Sequence, residues 1–235
     1  MENLPIFSIL IINNNTPKEY KFLEQSVESA LNQDYPAKGI VIIDNNTNDG
    51  SLDRLKEYGG EYVVDNDTEK AEYGTYKLKN NKMIGLIKLK SIQNQDELYK
   101  IGIDSTWNQT HIYSFLDSFT HYSNHNILSK VSLSFIYYTT YIGIAFTDYT
   151  KYDCQNNIRT HKLNFIHNYP FISKAAINTV GVNLPYVEIV KKMCSSSIIE
   201  HIPENFIIEN TNWQSKLHDA RWQKIKNKHY NEKQP

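Results

Sequence analysis

Two runs of hydrophobic residues near the beginning of the chain, 6–12 and 39–43, are almost unbroken. Runs of this kind are typical of strands in a parallel sheet that is covered on both faces. Between them, hydrophobic residues recur at helical spacing, which predicts a helix with one buried face. The residues on that face are Tyr20, Leu23, Val27, Ala30 and Leu31. The pattern predicts a strand–helix–strand unit whose crossover is right-handed.

Signals for both ends of this helix are present. Thr16 is placed as an N-cap, with Pro17 at the first helical position and Glu19 three residues after the cap. Such a capping box gives partners to backbone amides that the first turn leaves unpaired. Tyr35 and Pro36 end the helix, because proline cannot continue it. We therefore predict a helix that begins at Pro17 and ends before Tyr35.

The rest of the chain continues the alternation of strands and helices. Residues 44–51 form a polar turn that leads into a short helix, and residues 61–64 predict a third strand. Residues 65–95 are charged and rich in lysine, and their pattern does not predict an element with clarity. Later periodicities predict a helix over 96–107, a strand over 111–116, a helix over 126–138 and a strand over 141–146. This alternation predicts an α/β fold.

Composition narrows the class of protein. The chain has 235 residues, of which 40% are hydrophobic and 22% charged. These values predict one large domain, alone or with an appendage, and exclude a disordered or low-complexity chain. Lys and Arg number 25 against 26 for Asp and Glu, a net charge of −1, which excludes a globally basic surface for nucleic acid. The hydrophobic stretch 131–146 is too short and too polar to cross a bilayer.

Two further features concern cellular location. The first residues lack the basic and hydrophobic regions of a secretory signal. Cys154 and Cys194 form neither a disulfide framework nor the spacing of a zinc site. A cytoplasmic protein is the resulting expectation.

The end of the sequence is basic. Residues 214–235 carry six basic side chains against two acidic ones, and we predict a globular domain over 1–210 followed by a basic helix or tail over 211–235. Trp213, Trp222 and Tyr230 lie in or beside this basic segment. The mixture is found in nucleic-acid grooves, in helices at membrane surfaces and on ordinary solvated faces. DNA contact and peripheral membrane contact therefore both stay open.

Polar residues follow the first two predicted strands. Asp44 ends the second strand, while Asn13 and Asn14 end the first. Because ligands bind at the carboxyl ends of strands in open α/β sheets, Asp44 is a candidate acceptor for the ring N–H of a nucleoside, with the two asparagines beside it. An Asx-rich turn that caps the next helix explains the same residues and remains the alternative.

The order of these segments resembles glycosyltransferase family 2. The resemblance is carried by the strand over 8–12, the helix 23–33 with its Ser29-x-x-x-Gln33 ending, and the turn 44–51 that closes in Asp-Gly-Ser. Looser likenesses follow at Gly102-Ile103, His111–Asp117, Phe171–Gly181 and His201–Glu204, the last two on the family's acceptor side. The resemblance implies a GT-A fold, a Rossmann-like three-layer α/β/α sandwich with a mostly parallel central sheet.

The resemblance also implies an activity. A family member would transfer a sugar from a nucleoside-diphosphate sugar, for which we expect a UDP-sugar, to an acceptor hydroxyl. Either a hexosyl- or a pentosyltransferase is implied, and the acceptor is a surface glycan or a modified base of phage DNA. The location would then be the cytoplasm, that of the host if phage-encoded, with peripheral membrane contact open. The donor-binding residues implied are Asn13, Asn14, Asp44, Asn46 and Asp117.

The family's metal-binding sequence is incomplete here. Mg²⁺ or Mn²⁺ is implied, held in the family by Asp-x-Asp, but the matching stretch reads Asp117-Ser118-Phe119 and lacks the second carboxylate. Asp117 stays as one metal ligand, and His218 is a candidate second ligand from the C-terminal segment. Asp65-Asn66-Asp67 spells the pattern but comes too early in the chain.

The acidic residues that would supply the catalytic base are also incomplete. The family has an acidic pair after the segment matched by Val180-Gly181, and here Glu188 alone remains as candidate catalytic base. A solvated helix residue beside Lys191 and Lys192 is the alternative for Glu188. These losses leave a non-catalytic module that binds nucleotide-sugars, or a scaffold, as the rival function. A nucleotidyltransferase ranks low, because residues 13–16 contain no glycine-rich basic loop.

Overall fold

The computed structural model describes residues 4–14, 21–56, 61–78, 82–137, 142–154, 158–162, 170–181 and 183–211. Within these ranges the chain forms eleven strands and six helices. The strands are β1 Phe7–Asn13, β2 Lys38–Asp44, β3 Glu61–Asp67, β4 Ala71–Lys77, β5 Met83–Leu89, β6 Ile112–Asp117, β7 Thr120–Tyr122, β8 Ile142–Asp153, β9 Ile158–Lys162, β10 Phe171–Ser173 and β11 Ile198–Thr211. The helices are α1 Phe22–Leu31, α2 Ser51–Leu55, α3 Gln95–Asp104, α4 Ile127–Tyr137, α5 Lys174–Val180 and α6 Tyr186–Ser196.

The strands join in one sheet with a parallel centre. Their order is β3-β4-β5-β2-β1-β6-β10-β8-β11-β7, with β9 paired to β8. Strands β5, β2, β1 and β6 are parallel neighbours, and β8 and β11 also pair in parallel. In the register of the centre, Asn13 lies opposite Asp44, and Ile12 lies opposite Asp117. The polar residues at these strand ends therefore share one edge of the sheet.

Helices cover both faces of this sheet. One buried cluster joins Ile9 and Ile11 of β1 to Leu23 and Val27 of α1, and it also includes residues of α2 and α4. The other cluster begins with Leu10 of β1 and includes residues of α3, α5 and α6. Successive residues of β1 thus face opposite layers, as expected for a strand buried on both sides. The three-layer α/β/α arrangement confirms the predicted fold class.

A glycine sets the distance between α3 and the sheet. A Cβ added to Gly102 would lie 2.8 Å from Cδ1 of Ile43 and 3.0 Å from Cδ1 of Leu10. Glycine at this position permits the close approach without a shift of the Ile43 and Leu10 side chains. None of the described helices is long and apolar enough to cross a membrane, and the hydrophobic stretch 131–146 is divided between α4 and β8.

The predicted start of α1 is wrong. The helix begins at Phe22, after Lys21 with φ −91° and ψ 50°, which is not helical backbone. The predicted continuous helix from Pro17 therefore does not run through Lys21. The predicted capping residues Thr16–Glu19 lie outside the described residues. Leu23 and Val27 are buried, as the periodicity predicts.

The predicted strand over 61–64 is the first part of β3, and β4 and β5 occupy the stretch that the sequence pattern did not assign. Strands β3 to β5 form an antiparallel meander at one side of the sheet, and β5 then pairs with β2 in parallel. Asp65, Asn66 and Asp67 belong to β3 itself and are exposed on the outermost strand. Strand β8 also continues beyond the predicted end at Phe146 to Asp153.

Candidate functional site

Asp44 is held by its own turn and by β1. Its Oδ1 accepts hydrogen bonds from Nδ2 of Asn13 at 2.7 Å and from Oγ1 of Thr47 at 2.6 Å, and its Oδ2 accepts from the Thr47 amide at 3.2 Å. Burial raises the pKa of Asp44, against the opposing effect of these donors. The Asx turn of this loop is made by Asp49, whose Oδ1 accepts from the Ser51 amide at 2.9 Å, so the alternative interpretation describes Asp49 and not Asp44. The contacts of Asp44 leave room for a further donor, since a carboxylate has about four acceptor positions.

Asn13 presents an acceptor that no described residue uses. Its Nδ2 lies within hydrogen-bond distance of Asp44, Thr47 and Ser51, which ties the end of β1 to the start of α2. Its Oδ1 is buried and has no hydrogen-bond partner among the residues that the structure describes. A buried acceptor without a donor costs about 1–3 kcal/mol, so such groups are rare unless a ligand or water pairs with them.

A second asparagine network joins three loops at the same edge. Oδ1 of Asn14 accepts from Nδ2 of Asn45 at 3.0 Å. Oδ1 of Asn45 accepts from the Gln93 amide at 2.7 Å, which links the loop before α3. Asn46 is exposed and has φ 54°, a left-handed conformation that asparagine tolerates better than most residues. These contacts fix the shape of the edge on which Asn14 and Asn46 lie.

The polar side of α1 holds the segment after β6. Oγ of Ser26 donates to the carbonyl of Ser118 at 3.0 Å and also contacts the carbonyl of Thr120. Oγ of Ser29 accepts from the amide of Tyr122, and Nε2 of Gln33 donates to the carbonyl of Asn124 at 2.7 Å. The Ser-x-x-x-Gln ending therefore anchors the turn that follows Asp117.

Asp117 lies buried at the end of β6 with a second carboxylate nearby. Burial, and next the charge of Glu209, raise the pKa of Asp117 to about 7, while a hydrogen bond from Gln95 opposes the rise. The Asp117 amide donates to Oγ1 of Thr120, and Thr120 lies opposite Glu209 in the pairing of β7 with β11. Glu209 is 3.4 Å from Nζ of Lys151. The sequence analysis missed Glu209, because only pairing between distant strands brings it here.

Three aromatic side chains pack together beside Asp117. The ring of Tyr186 lies 4.1 Å from that of Tyr99 and 5.9 Å from that of Phe115. Burial, then Tyr99, then Asp117 raise the pKa of Tyr186. Its hydroxyl is buried and has no hydrogen-bond partner in the described part of the chain, so it is a second unused polar group at this site.

Of the two predicted metal ligands, only Asp117 lies in the described part of the chain. Phe119, at the position of the missing carboxylate, is buried. The described part of the chain contains no group of three or more His, Cys, Asp or Glu residues that could hold a metal ion. His218 lies outside the described residues. The segment 65–67 is on β3, five strand spacings or roughly 24 Å from β6, and is therefore wrong as a ligand pair for this site.

Glu188 does not lie beside Asp117 on the inner side of α6. Tyr186, Val190 and Met193 are buried and define the face of α6 that packs on the sheet. Glu188 is exposed on the opposite side, where its Oε1 is 3.1 Å from Nζ of Lys191. The alternative interpretation, a solvated helix residue, fits this placement.

Comparisons with known proteins concern the family of the first part of the chain and the fold of the whole. A model of the family described as "Glycosyl transferase family 2" matches residues 8–71, which include β1, α1 and β2. The structure of Staphylococcus aureus TarS 1–349 in complex with UDP-GlcNAc has a TM-score of 0.63 at 11% identity over 92% of this chain. Residues 8–71 are thus similar to glycosyltransferase family 2, and the chain has the GT-A fold. The mannosyltransferase PcManGT from Pyrobaculum calidifontis, in complex with GDP-Man and Mn²⁺, has a TM-score of 0.61 at 9% identity over 93% of the chain.

The extent of these likenesses is limited. The chain spans about 60% of TarS 1–349 and of PcManGT. At identities of 9–12% the likeness to these solved structures concerns the fold. No match is found among curated protein sequences.

Proposed function

We propose that this chain is a glycosyltransferase that binds a nucleoside-diphosphate sugar across the carboxyl ends of β2, β1 and β6. The observation that carries the proposal is the register of these three strands, in which Asn13, Asp44 and Asp117 end side by side. At a strand spacing of about 4.8 Å, the strands that carry the outer two carboxylates are roughly 10 Å apart. Nucleotide-sugars are present in the similar TarS and PcManGT structures, which supports this choice of ligand.

The nucleoside end is assigned to Asn13 and Asp44. Oδ1 of Asn13 and the remaining acceptor position of Asp44 suit the ring N–H of a base, while Asn14 and Asn46 lie at the rim. We favour uracil, because the similar TarS structures contain UDP and UDP-GlcNAc. A hydrogen bond to a charged group contributes about 1.5–3 kcal/mol, a useful share of the roughly 8 kcal/mol of a micromolar complex.

The diphosphate end is assigned to Asp117, with Mg²⁺ or Mn²⁺. Mg²⁺ commonly takes one or two carboxylates from a protein and keeps several waters. Asp117 and Glu209 supply two carboxylates whose charges influence each other, so the residues present fit such an ion. When bound, the ion offsets the negative charge of the departing diphosphate. His218 stays a predicted further ligand.

The acceptor is proposed only by class. A hydroxyl of a glycan and a modified base of phage DNA both stay candidates, and the basic segment 211–235 favours an anionic acceptor or surface. Binding to duplex DNA that weakens steeply with salt would favour DNA over a glycan.

A non-catalytic module that binds nucleotide-sugars is the second candidate function. Two placements favour it: buried Phe119 where the family has a carboxylate, and Glu188 on the outer side of α6. The two functions differ in one measurable way, because the module binds the donor without releasing nucleoside diphosphate.

Isothermal titration calorimetry tests the binding step. UDP, UDP-GlcNAc and GDP-mannose are titrated into the wild-type chain with and without Mn²⁺. We expect binding of at least one nucleotide, strengthened by Mn²⁺ and weakened at least tenfold in Asp117→Asn. The matched control Asp104→Asn, at the exposed end of α3, should bind like wild type. Failure of every nucleotide to bind contradicts the proposal.

A further inference from the structure

A histidine and an aspartate form a dyad between β8 and β11. Nε2 of His201 is 2.9 Å from Oδ1 of Asp148. The imidazole stacks on the ring of Phe146, with centroids 4.7 Å apart and an interplanar angle of 14°. The His201 side chain is 39% exposed, whereas that of Asp148 is 11% exposed. A buried carboxylate thus orients an accessible imidazole.

The dyad lies at the same edge of the sheet as Asp117. Ser114 of β6 is opposite Phe171 of β10, which is opposite Ala145 of β8. Both pairings are antiparallel, so β6 and β8 run in the same direction. Asp117 and Asp148 each lie three residues after this row. Their strands are two strand spacings of about 4.8 Å apart, which is roughly 10 Å.

The dyad also lies on the same face as Asp117. Phe115 and Ile144 both pack in the cluster under α3, α5 and α6. Asp117 is two residues beyond Phe115, and Asp148 is four residues beyond Ile144. Because side chains alternate between faces along a strand, both carboxylates point to this layer. His201 is paired with Phe146 on the same side.

Helix α6 leaves this part of the face open. The helix begins at Tyr186, whose ring contacts Phe115 near the end of β6. It ends near the start of β8, where a Cβ on Gly143 would lie 2.4 Å from Cβ of Ser197. The helix therefore covers the beginning of β8 and diverges from its carboxyl end, and His201 is accessible there.

An irregularity in β11 follows His201 directly. The register with β8 shifts between Ile202 and Asn205, so Pro203 and Glu204 are extra residues. Proline has no N–H to donate to a ladder and is tolerated at such positions. Bulges redirect the neighbouring side chains and occur often beside active sites.

We propose that His201 is the general base of the sugar transfer and that Asp148 is its positioning residue. This inference rests on the proposed function. With Nε2–H donated to Asp148, the lone pair of Nδ1 accepts the proton of the acceptor hydroxyl. The hydroxyl oxygen forms the bond to the anomeric carbon as the bond from that carbon to the diphosphate breaks, and the electron pair leaves on the diphosphate oxygen.

The spacing of the groups suits this step. Reacting atoms approach to about 3–3.5 Å, and a base acts at about 2.6–3.2 Å from the oxygen that it deprotonates. From leaving oxygen to base nitrogen, the reacting groups therefore span roughly 8 Å, which is compatible with the roughly 10 Å between the strands of Asp117 and Asp148. Glu188 offers no comparable geometry, because it lies on the outer side of α6.

The test measures donor binding and turnover separately in the full chain. Calorimetry with the best nucleotide-sugar gives binding, and release of nucleoside diphosphate, with water as acceptor, gives turnover. We expect His201→Gln to bind the donor within twofold of wild type and to turn over about 10²- to 10⁴-fold more slowly. Asp148→Asn should lower kcat less and leave KM for the donor unchanged. His125→Gln, an exposed histidine before α4, is the matched control with unchanged turnover.

Chemical rescue separates a base from a structural role. Added imidazole should restore part of the turnover of His201→Ala, because the free base enters the space that the side chain leaves. Two results overturn the assignment. One is turnover of His201→Gln within threefold of wild type, and the other is turnover of His201→Ala that added imidazole does not raise. A wild-type chain that binds the donor without turnover overturns it as well, while failure to bind any nucleotide overturns the proposed function itself.

Discussion

Replacing Asp117 by asparagine tests the electrostatics of the site through stability. Burial, and next the charge of Glu209, raise the pKa of Asp117 from 3.8 to about 7. The folded state therefore holds this proton more tightly than the unfolded chain does. By linkage, the contribution of Asp117 to the free energy of unfolding falls as pH rises from about 4 to about 7, and it is level above that range.

The size of the effect follows from the two pKa values. Each tenfold change in proton affinity corresponds to about 1.4 kcal/mol, so the ionised carboxylate costs the folded state about 4 kcal/mol at pH 8. An amide cannot ionise, and Asp117→Asn removes this cost. We expect the variant and wild type to be similar in stability near pH 4 and the variant to be more stable by up to about 4 kcal/mol at pH 8.

Urea unfolding followed by tryptophan fluorescence measures this difference between pH 4 and pH 8. EDTA is present throughout, so that no divalent cation stabilises the carboxylate. Asp104→Asn, an exposed change on the same type of side chain, should follow the wild-type curve at every pH. Parallel curves for wild type and Asp117→Asn across the range would refute the electrostatic reasoning.

Three other changes probe separate parts of the structure. Ser26→Ala removes the hydroxyl that hydrogen-bonds to the carbonyls after β6. Urea titrations should show that the free energy of unfolding falls by about 1–3 kcal/mol. A loss below about 0.5 kcal/mol, which is the usual scatter of surface substitutions, argues against this anchoring role. Asn46→Ala should lower the free energy of unfolding by about 1 kcal/mol, whereas Asn46→Gly should not lower it, because the strain at φ 54° comes from the β-carbon, which glycine lacks. Equal stabilities of the two variants would contradict this. Glu188→Gln should keep nucleoside diphosphate release within twofold of wild type, and a hundredfold loss would restore Glu188 as the base.

Much of the central fold is predictable because its strands are buried on both faces. Residues 6–12 and 39–43 read as strands without ambiguity, and β1 and β2 follow them closely. The second half of β3 and all of β4 are largely exposed or half-buried and carry charged residues, so no hydrophobic run marks them. Strand β8 passes from a hydrophobic first half into Thr147 and Asp148, whose burial depends on β11 and not on local pattern.

The residues of the candidate site also differ in how far the sequence predicts their positions. Asn13, Asp44 and Asp117 come directly after hydrophobic runs, and the sequence placed them at strand ends as observed. Glu209 and His201 reach the site only through the pairing of β11 with β7 and β8, which links segments far apart in the chain. No spacing rule connects such residues, although the segment 201–204 already resembled the family's acceptor side.

The most direct test of the nucleotide crevice is a crystal structure of the chain with UDP or UDP-GlcNAc and Mn²⁺. The account predicts uracil against Asn13 and Asp44, and the diphosphate beside Asp117. A nucleotide bound at any other place, or a crevice that stays closed at saturating ligand, would contradict it.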